Sequence, residues 1–450
     1  MTRKRLFGTD GIRGRAGEGD LTEERVASLG AALGRVIQSE ASRAEALLGH
    51  DGRGSATWIE LALARGLNSS GVQTRTAGLL PTPGLAAATR QGPFGLGLMI
   101  SASHNPAEDN GIKVFNAEGA KLSDAFEDRV QDELERLDGK VGEGPPPTSA
   151  PEWSERYVEG LLQAAGGLSL TGFNLVLDCA NGAASRVGPA VFERLGASVH
   201  SIASAPDGAN INRRCGSTHL EGLQAAVTQR GAQLGVALDG DGDRCLLVDE
   251  RGQAVDGDAI LAVMARHLRQ RGELAGDALV ATVMSNCGLE KSLRGENIGL
   301  VTVGVGDRRV VEGMREHGLE LGGEQSGHII FGARSHYTGD GLLTALRVLE
   351  AQHAHGGSAS ELFSCFRAFP QVLVNLKVRE KPAMNSIEGL ADSITRAESE
   401  LGSEGRVLVR YSGTENLARV MVEGPDERQI ASLAEDIAAV FRTRLAPSST

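Results

Sequence analysis

The sequence predicts a multidomain α/β protein with a smaller C-terminal domain. Up to residue 368, amphipathic helices alternate with short apolar strands, a pattern typical of α/β layers around buried strands. From Phe369 the strands alternate apolar and polar residues, as in QVLVNLKV and RVLVRYSG, which predicts a separate α+β unit. The chain has 450 residues, and single cores seldom organise more than about 250–300 residues.

The predicted elements follow from the spacing of apolar residues. A helix over 20–37 places Val26, Leu29 and Leu33 on one face, and Asp20 and Glu23 have the spacing of a capping box. The other predicted helices are 57–70, 153–165, 258–271, 341–354, 386–400 and 427–444. The predicted α/β strands include 46–49, 72–77, 95–100 and 173–182.

The first domain boundary falls in the segment VGEGPPPTSAP, residues 141–151. Three consecutive prolines cannot continue a helix or a central strand, so they favour an extended linker. With the later changes of pattern, we predict four domains, with the boundaries 1–152, 153–255, 256–368 and 369–450.

Composition narrows the classes of function. The net charge of −12 argues against a nucleic-acid partner, because a phosphate backbone requires a basic face. No uncharged apolar run approaches the roughly 20 residues of a membrane span, and the basic N-terminus is followed by glycine and charge, unlike a signal peptide. The five cysteines form no C-x-x-C pair, so we expect free thiols and a cytoplasmic location.

Four apolar strands each run into a polar, glycine-containing loop. The loops are SASHNP (101–106), DGDGDR (239–244), GGEQSGH (322–328) and YSGTEN (411–416). Ligands of α/β sheets collect at such strand ends. We therefore expect one shared cleft, with one loop from each domain.

The loop DGDGDR predicts a metal site. Asp239, Asp241 and Asp243 alternate with glycines, so the loop can curl until three carboxylates meet on one hard cation such as Mg²⁺. An EF-hand is the competing interpretation. Its sixth position requires glycine, but Arg244 stands there, and the flanking segments are strands.

A metal ion held by three aspartates keeps coordination positions for phosphate oxygens or water. Ser103, at the end of a predicted strand, would supply such an oxygen when phosphorylated, and its phosphoryl group could then be transferred. The segment RYSGTENLAR carries Arg410, Ser412, Gly413, Thr414 and Arg419, the components of a phosphate site. In GGEQSGH, the side chains of Glu324, Ser326 and His328 suit hydrogen bonds to sugar hydroxyls.

With these loops the sequence resembles the α-D-phosphohexomutases over essentially its whole length. The resemblance is carried by FGTDGIRG (7–14), SASHNPAEDNGIK (101–113), NINRRCGSTH (210–219), DGDGDR (239–244), GVGDRRV (304–310), GGEQSGH (322–328) and YSGTEN (411–416). It implies three related α/β domains with mixed sheets and a smaller C-terminal α+β domain around a central cleft. NINRRCGSTH and Gln325 resemble the amino-sugar branch, which implies interconversion of glucosamine 6-phosphate and glucosamine 1-phosphate, toward UDP-N-acetylglucosamine.

The resemblance also implies residue roles. Ser103 matches the phosphoserine, the three aspartates the Mg²⁺ ligands, and Glu324 and Ser326 the sugar contacts. The phosphate anchor corresponds to Arg410, Ser412, Gly413, Thr414 and Arg419, and residues near the reacting group to Arg13, Lys113 and His328. Two departures from the family pattern are GHDGR (49–53), where GRDTR is usual, and Asn416, where proline is common.

In the implied mechanism, phospho-Ser103 gives its phosphoryl group to the 6-phosphosugar, and Arg244 stabilises charge. Lys113 is the first candidate for the base, because nearby cations would lower its pKa; His328 and His104 are alternatives. A glucose or mannose phosphomutase and a metal-dependent phosphatase are the rival functions. The partners we expect are a hexosamine phosphate and a kinase or sugar bisphosphate that first phosphorylates Ser103. A homodimer is one assembly compatible with the sequence.

Overall fold

The computed structural model describes residues 5–8, 10–40, 44–137, 141–412 and 416–446. The chain divides into two compact units. The N-terminal unit comprises residues 1–284 and 297–365, and the C-terminal unit comprises 285–296 and 366–450. Three mixed sheets lie in the first unit and one antiparallel sheet in the second, which confirms the predicted fold class.

The first sheet has six strands in the order β1-β5-β4-β2-β3-β6. They are β1 (Ile12–Arg15), β2 (Glu45–His50), β3 (Gln73–Leu79), β4 (Leu96–Ile100), β5 (Asp109–Asn116) and β6 (Thr148–Ser149). Strands β4, β2, β3 and β6 run parallel, whereas β5 pairs antiparallel with β4 and β1. The helices of this layer are α1 (Glu23–Glu40), α2 (Ala56–Ser69), α3 (Thr82–Gln91) and α4 (Asp124–Arg136).

The start of the first helix differs from the prediction. Helix α1 begins at Glu23, and a separate 3₁₀ turn covers Gly19–Leu21. Leu21 is buried in the domain core, so the chain turns inward before the helix starts, and the predicted capping box at Asp20 is wrong. Residues 141–147 of the proline-rich segment form no helix or strand, and Thr148–Ser149 add the edge strand β6 to the sheet, beside β3.

The second sheet contains the DGDGDR loop. Its order is β11-β10-β9-β7-β8, with β9 and β10 antiparallel and β9, β7 and β8 parallel. The strands are β7 (Asn174–Asp178), β8 (Ser198–Ile202), β9 (Leu234–Leu238), β10 (Cys245–Asp249) and β11 (Ala254–Val255). The helices are α5 (Glu152–Ala164), α6 (Ala184–Arg194) and α7 (Glu221–Arg230). The strands on both sides of the DGDGDR loop exclude the EF-hand alternative.

The third sheet has the order β13-β12-β14-β15 and is parallel except for its last pair. Its strands are β12 (Ala278–Thr282), β13 (Gly299–Val303), β14 (Gly322–Gly323) and β15 (Ile329–Ile330). The helices of this segment are α8 (Gly257–Gln270), α9 (Cys287–Gly295), α10 (Asp307–His317), α11 (Gly341–His355) and α12 (Ala359–Phe363). Of these, α9 belongs to the C-terminal unit.

The C-terminal unit is a three-stranded antiparallel sheet with two helices packed on it. Its elements are β16 (Gln371–Lys377), α13 (Leu390–Leu401), β17 (Arg406–Tyr411), β18 (Leu417–Glu423) and α14 (Glu427–Leu445). Helix α9 is fixed to this sheet by the buried carboxylate of Glu423, which accepts hydrogen bonds from Cys287 N and Arg406 Nε, both at 3.0 Å.

The structure bears on two predictions that were made from composition: the state of the cysteines and the presence of membrane-spanning helices. All five cysteines are free, and Cys179, Cys215 and Cys245 are buried, as expected. Within the described ranges, no helix combines the length and apolar character that a bilayer crossing requires.

Candidate active site

Ser103 lies in the loop after β4, at the end of a strand whose five residues are all buried. Its Oγ donates a hydrogen bond to Oδ2 of Asp239 at 2.5 Å, although 136 positions separate the two residues. The Nδ1 atom of His104 lies 3.4 Å from the same Oγ. The fold therefore brings the predicted phosphoserine to the predicted metal loop.

Asp239, Asp241 and Asp243 are all buried, and one carboxylate oxygen from each lies within 4.8 Å of the others. Burial and the charges of Asp243 and Asp241 raise the pKa of Asp239 well above its usual value. The Oδ1 atoms of Asp241 and Asp243 are buried and accept no hydrogen bond from the described residues. Three carboxylates with hard oxygen atoms, two of which keep an oxygen without a hydrogen bond, fit a divalent cation. The three aspartates are therefore suited to binding a metal ion.

Lys113, on β5, inserts its ammonium among these carboxylates. Its Nζ atom lies 2.8 Å from Asp241 Oδ2, 3.0 Å from Asp243 Oδ2 and 3.2 Å from Asp10 Oδ2. Burial lowers the pKa of Lys113, but the three carboxylates outweigh it and hold that pKa well above its usual value. The expected fall of the lysine pKa toward neutrality is therefore wrong, because the charges of the three carboxylates outweigh both burial and the charge of Arg13.

The two candidate histidines differ in charge. Burial and the charges of Arg244 and Arg13 lower the pKa of His104 to about 4, so its imidazole is neutral at pH 7. Burial also lowers the pKa of His328, but Asp243, Asp307 and Glu324 outweigh it and raise that pKa. His328 Nδ1 lies 3.7 Å from Asp243 Oδ1. The surroundings thus favour the neutral form of His104 and the protonated form of His328.

The predicted arginines contact the cluster in different ways. The backbone N–H of Arg244 donates to Asp239 Oδ1 at 3.1 Å. Burial lowers the pKa of the Arg244 guanidinium, but the charges of Asp239, Asp243 and Glu324 outweigh it and raise that pKa above its usual value. Arg13 donates a hydrogen bond to Asp10, and the Asp10 carboxylate also forms ion pairs with Lys113 and Lys121. Arg13 is therefore connected to the aspartate cluster through Asp10.

Several residues of the cluster were not predicted from the sequence. Lys121 donates to both Asp10 and Asp307, and Thr82, at the start of α3, donates to Asp241. Asp10 and Asp307 belong to the motifs FGTDGIRG and GVGDRRV, which could have indicated them. Lys121 and Thr82 belong to none of the motifs.

The loop GGEQSGH packs against the strand that leaves the aspartate loop. Gly327 has φ +91°, and a Cβ there would lie 2.4 Å from the carbonyl oxygen of Cys245, so this position requires glycine. The N–H of Cys245 donates in return to Gly327 O at 2.9 Å. Glu324 accepts from the N–H of Gly306 at 3.1 Å, and Ser326 is half-buried in the same turn.

A cavity of about 370 Å³ opens beside the charged cluster. Lys113, Asp243 and His328 line it together with Lys121 and Asp307, and Phe115 and Phe126 supply apolar surface. Charged groups beside apolar walls are typical of sites for small polar molecules.

The predicted phosphate residues lie in the C-terminal unit. Arg410 on β17 is paired directly with Arg419 on β18, and Ser412 follows β17. Gly413 and Thr414 lie outside the described residues. Lys381, which no sequence motif indicated, donates from Nζ to the carbonyl of Ser412 at 2.7 Å. This unit therefore places three cationic side chains at the loop or the strands beside it.

Four family models of phosphoglucomutase/phosphomannomutase match the chain in order. They describe α/β/α domain I over residues 4–140, domain II over 155–252, domain III over 256–369 and the C-terminal domain over 373–440.

Known proteins agree with this assignment. A phosphoglucosamine mutase from Rhodococcus opacus (strain B4) is 48% identical over 441 residues, covering 96% of this chain and 98% of the relative. The crystal structure of a phosphoglucomutase/phosphomannomutase family protein from Burkholderia thailandensis has a TM-score of 0.81 at 25% identity, with 98% of each chain covered. An Aspergillus fumigatus N-acetylphosphoglucosamine mutase, solved with GlcNAc-6P and magnesium, shares the fold with a TM-score of 0.64 at 19% identity, covering 97% of this chain and 95% of that one.

The order of the four domains and the near-complete coverage by close relatives lead to one assignment. The chain belongs to the phosphoglucosamine mutases, isomerases of the phosphoglucomutase/phosphomannomutase family.

Proposed function

We propose that the protein interconverts glucosamine 6-phosphate and glucosamine 1-phosphate, through phospho-Ser103 and a 1,6-bisphosphate, toward UDP-N-acetylglucosamine. The observation that supports the proposal is the hydrogen bond from Ser103 Oγ to Asp239, because a phosphoryl group on this oxygen would lie beside the aspartate triad. The substrate is proposed from the relative of 48% identity, whose name identifies it as a phosphoglucosamine mutase.

The cation we propose for the triad is Mg²⁺. Asp239, Asp241 and Asp243 offer only hard oxygen ligands, and the Aspergillus fumigatus relative was solved with magnesium. When bound, the ion would neutralise charge on the transferring phosphoryl group. Arg244 and Arg13 add positive charge from the protein itself, and Arg244 is held beside Asp239 by its backbone hydrogen bond.

Transfer to the sugar moves the phosphoryl group from Ser103 Oγ to the O1 hydroxyl, and the proton of that hydroxyl must leave. We propose that His104, whose Nδ1 lies 3.4 Å from Ser103 Oγ, takes this proton and passes it to the departing Ser103 oxygen, since burial and the charges of Arg244 and Arg13 keep its ring neutral at pH 7. Lys113, whose pKa is held well above its usual value, would act as a stabilising charge, and the raised pKa of His328 favours its cationic form. In the second half-reaction the bisphosphate, turned end for end, returns its other phosphoryl group to Ser103 Oγ.

The remaining residues are proposed to bind the substrate. The Glu324 carboxylate would accept hydrogen bonds from sugar hydroxyls, and the Ser326 hydroxyl would donate to them. Arg410, Ser412 and Arg419 would bind the phosphate that does not react, together with Gly413 and Thr414. This anchor favours a mutase over a metal-dependent phosphatase, which has no need to hold a second phosphate.

We further propose that a kinase or a sugar bisphosphate first phosphorylates Ser103, and that the chain forms a homodimer. The domain boundaries near residues 152, 255 and 368 are also proposals. Size-exclusion chromatography with light scattering tests the dimer, and limited proteolysis tests the boundaries.

A coupled assay of glucosamine 6-phosphate turnover, with intact mass measured on the same sample, tests the function. We expect turnover and a mass increase of one phosphate in wild type, and neither in Ser103→Ala. Ser169→Ala, at an exposed serine beside Thr171, retains Ser103 and its supports, should still acquire the phosphate and serves as the control. Faster turnover of glucose or mannose phosphates would favour the alternative mutases, and an active Ser103→Ala enzyme would overturn the mechanism.

A further inference from the structure

Two side chains from different sheets bind the Ser103 loop at the same two carbonyl oxygens. Arg53, which follows β2, donates from Nη2 to the carbonyls of Ser103 and Asn105, both at 2.9 Å. Asn212, which follows β8, donates from Nδ2 to the same oxygens at 2.8 and 3.0 Å. We propose that Arg53 and Asn212 are positioning residues that fix Ser103 for phosphoryl transfer. The proposal rests on the function proposed above.

The conformation of Ser103 explains why its loop needs support. Ser103 has φ +53°, in the left-handed region that residues with a Cβ rarely occupy. Its N–H donates to Ser101 Oγ at 2.8 Å, and Ser101 Oγ donates to Asp51 Oδ2 at 2.6 Å. The backbone is therefore held at both its N–H and its carbonyl.

Arg53 is suited to this task because it is itself immobilised. Its side chain is 0% exposed, and Nε donates to Asp51 Oδ2 at 2.8 Å, the oxygen that also receives Ser101. Nη1 donates to the carbonyl of Asp109 at 2.9 Å and to that of Pro106. A planar guanidinium can span four carbonyls in this way, whereas the ammonium of lysine is a compact charge without that fork.

Asn212 acts from the second sheet. Its backbone has φ +57°, and its N–H donates to the carbonyl of Ala180 at 2.9 Å, so the residue is anchored in its own domain. Both hydrogens of its amide are used on the serine loop, and a carboxylate of the same size has no hydrogen to donate. Asn212 belongs to NINRRCGSTH, a motif to which the proposed chemistry assigns no role.

Gly240, inside the DGDGDR loop, allows this close approach. A Cβ at this position would lie 2.6 Å from Ser103 O and 3.0 Å from Asn212 Nδ2. The serine loop, the asparagine and the aspartate loop are therefore packed at backbone contact distance. Displacing the Ser103 carbonyl would turn Oγ away from Asp239, and a misplacement of about 1 Å can reduce a rate about 100-fold.

The test compares Asn212→Ala and Asn212→Asp with wild type, using kcat per phosphorylated serine, counted by intact mass. We expect kcat to fall about 10- to 100-fold while the KM for glucosamine 6-phosphate changes less than about threefold. Asn181→Ala is the matched control, because Asn181 donates to the carbonyl of Asn210 in the same segment, and its side-chain hydrogen bonds within the described ranges go to this segment and not to the serine loop. Its kcat should remain near that of wild type. Arg53→Lys should lower kcat as the Asn212 variants do.

A kcat within twofold of wild type in both Asn212 variants would overturn the proposal, and so would an equal loss in Asn181→Ala. If the Asn212 variants do not fold, Gly240→Ala replaces them, because its Cβ would displace the Ser103 carbonyl by steric contact. A wild-type kcat in Gly240→Ala would then contradict the proposal.

The exchange of phosphate between Ser103 and glucose 1,6-bisphosphate, followed by intact mass, separates this proposal from the proposed function. If wild type exchanges phosphate but does not convert glucosamine 6-phosphate, the substrate assignment fails, and the exchange rates of the variants still decide the role of Asn212.

Discussion

Arg410 and Arg419 stand directly opposite each other on neighbouring antiparallel strands of the C-terminal unit. Like charges in this position destabilise a sheet. Burial and the charge of Arg419 lower the pKa of Arg410, which reflects the same repulsion. A bound phosphate would relieve this repulsion, which supports the proposed phosphate anchor.

Replacing Arg419 by alanine should weaken the binding of sugar phosphate. Charge-assisted hydrogen bonds of about 1.5–3 kcal/mol would be lost, which corresponds to a decrease in kcat/KM of about 10- to 100-fold. Steady-state kinetics measure the change. Arg442→Ala is the control, because Arg442 is exposed and paired with Glu435 on α14. Equal effects of the two substitutions would contradict the anchor.

Asp241→Asn should remove most activity, because one of three charged ligands becomes neutral. Removal of metal with EDTA should silence the wild-type enzyme, and added Mg²⁺ should raise the wild-type Tm more than that of the variant. Asp20→Asn, which changes only a surface pair with Arg25, should behave as wild type does. Full activity after exhaustive EDTA treatment would rule out the metal site.

Lys113→Gln should destabilise the metal-free protein. The substitution leaves the buried carboxylates of Asp241 and Asp243 without their counter-charge, and breaking a buried pair costs about 3–5 kcal/mol. Because Mg²⁺ would replace part of the lost charge, it should raise the Tm of this variant more than that of wild type. Lys291→Gln, at an exposed pair with Glu404, is the control. Urea unfolding of both metal-free proteins measures the difference in stability. Equal midpoint urea concentrations for Lys113→Gln and wild type would refute the prediction.

The stability contributed by Asp340 should depend on pH. Burial raises its pKa from 3.8 to about 6, although it accepts hydrogen bonds from Leu343 N and Tyr157 Oη. The folded protein therefore binds more protons than the unfolded chain between about pH 4 and 6, and stability from this group is lost as pH rises through that range.

Relative to Asp340→Asn, which keeps the acceptor and does not titrate, wild type should lose about 2–3 kcal/mol between pH 4 and 6.5. Urea unfolding of both proteins across this range measures the difference. A constant difference between the two proteins would show that the Asp340 carboxyl does not have a raised pKa.

The sequence predicted the elements well because their signals are local. Helix 57–70 is observed as Ala56–Ser69, and strand 95–100 as Leu96–Ile100. Apolar periodicity and glycine-rich strand ends do not depend on distant residues. The start of α1 was misplaced because the burial of Leu21, a tertiary contact, overrides the local capping pattern.

The sequence by itself determined which chemical groups the proposed reaction uses: a serine at a strand end and three alternating aspartates in the N-terminal unit, and two arginines on the last strands of the C-terminal unit. Only the tertiary structure decided their states and supports. The pKa of Lys113 is raised because Asp10 and Asp241, far away in the chain, contact its ammonium. Arg53 and Asn212, which are also distant from each other in the chain, donate to the same carbonyl of Ser103 because the fold brings them together. Electrostatic and hydrogen-bond energies depend on distances through space, and the order of residues along the chain does not contain those distances.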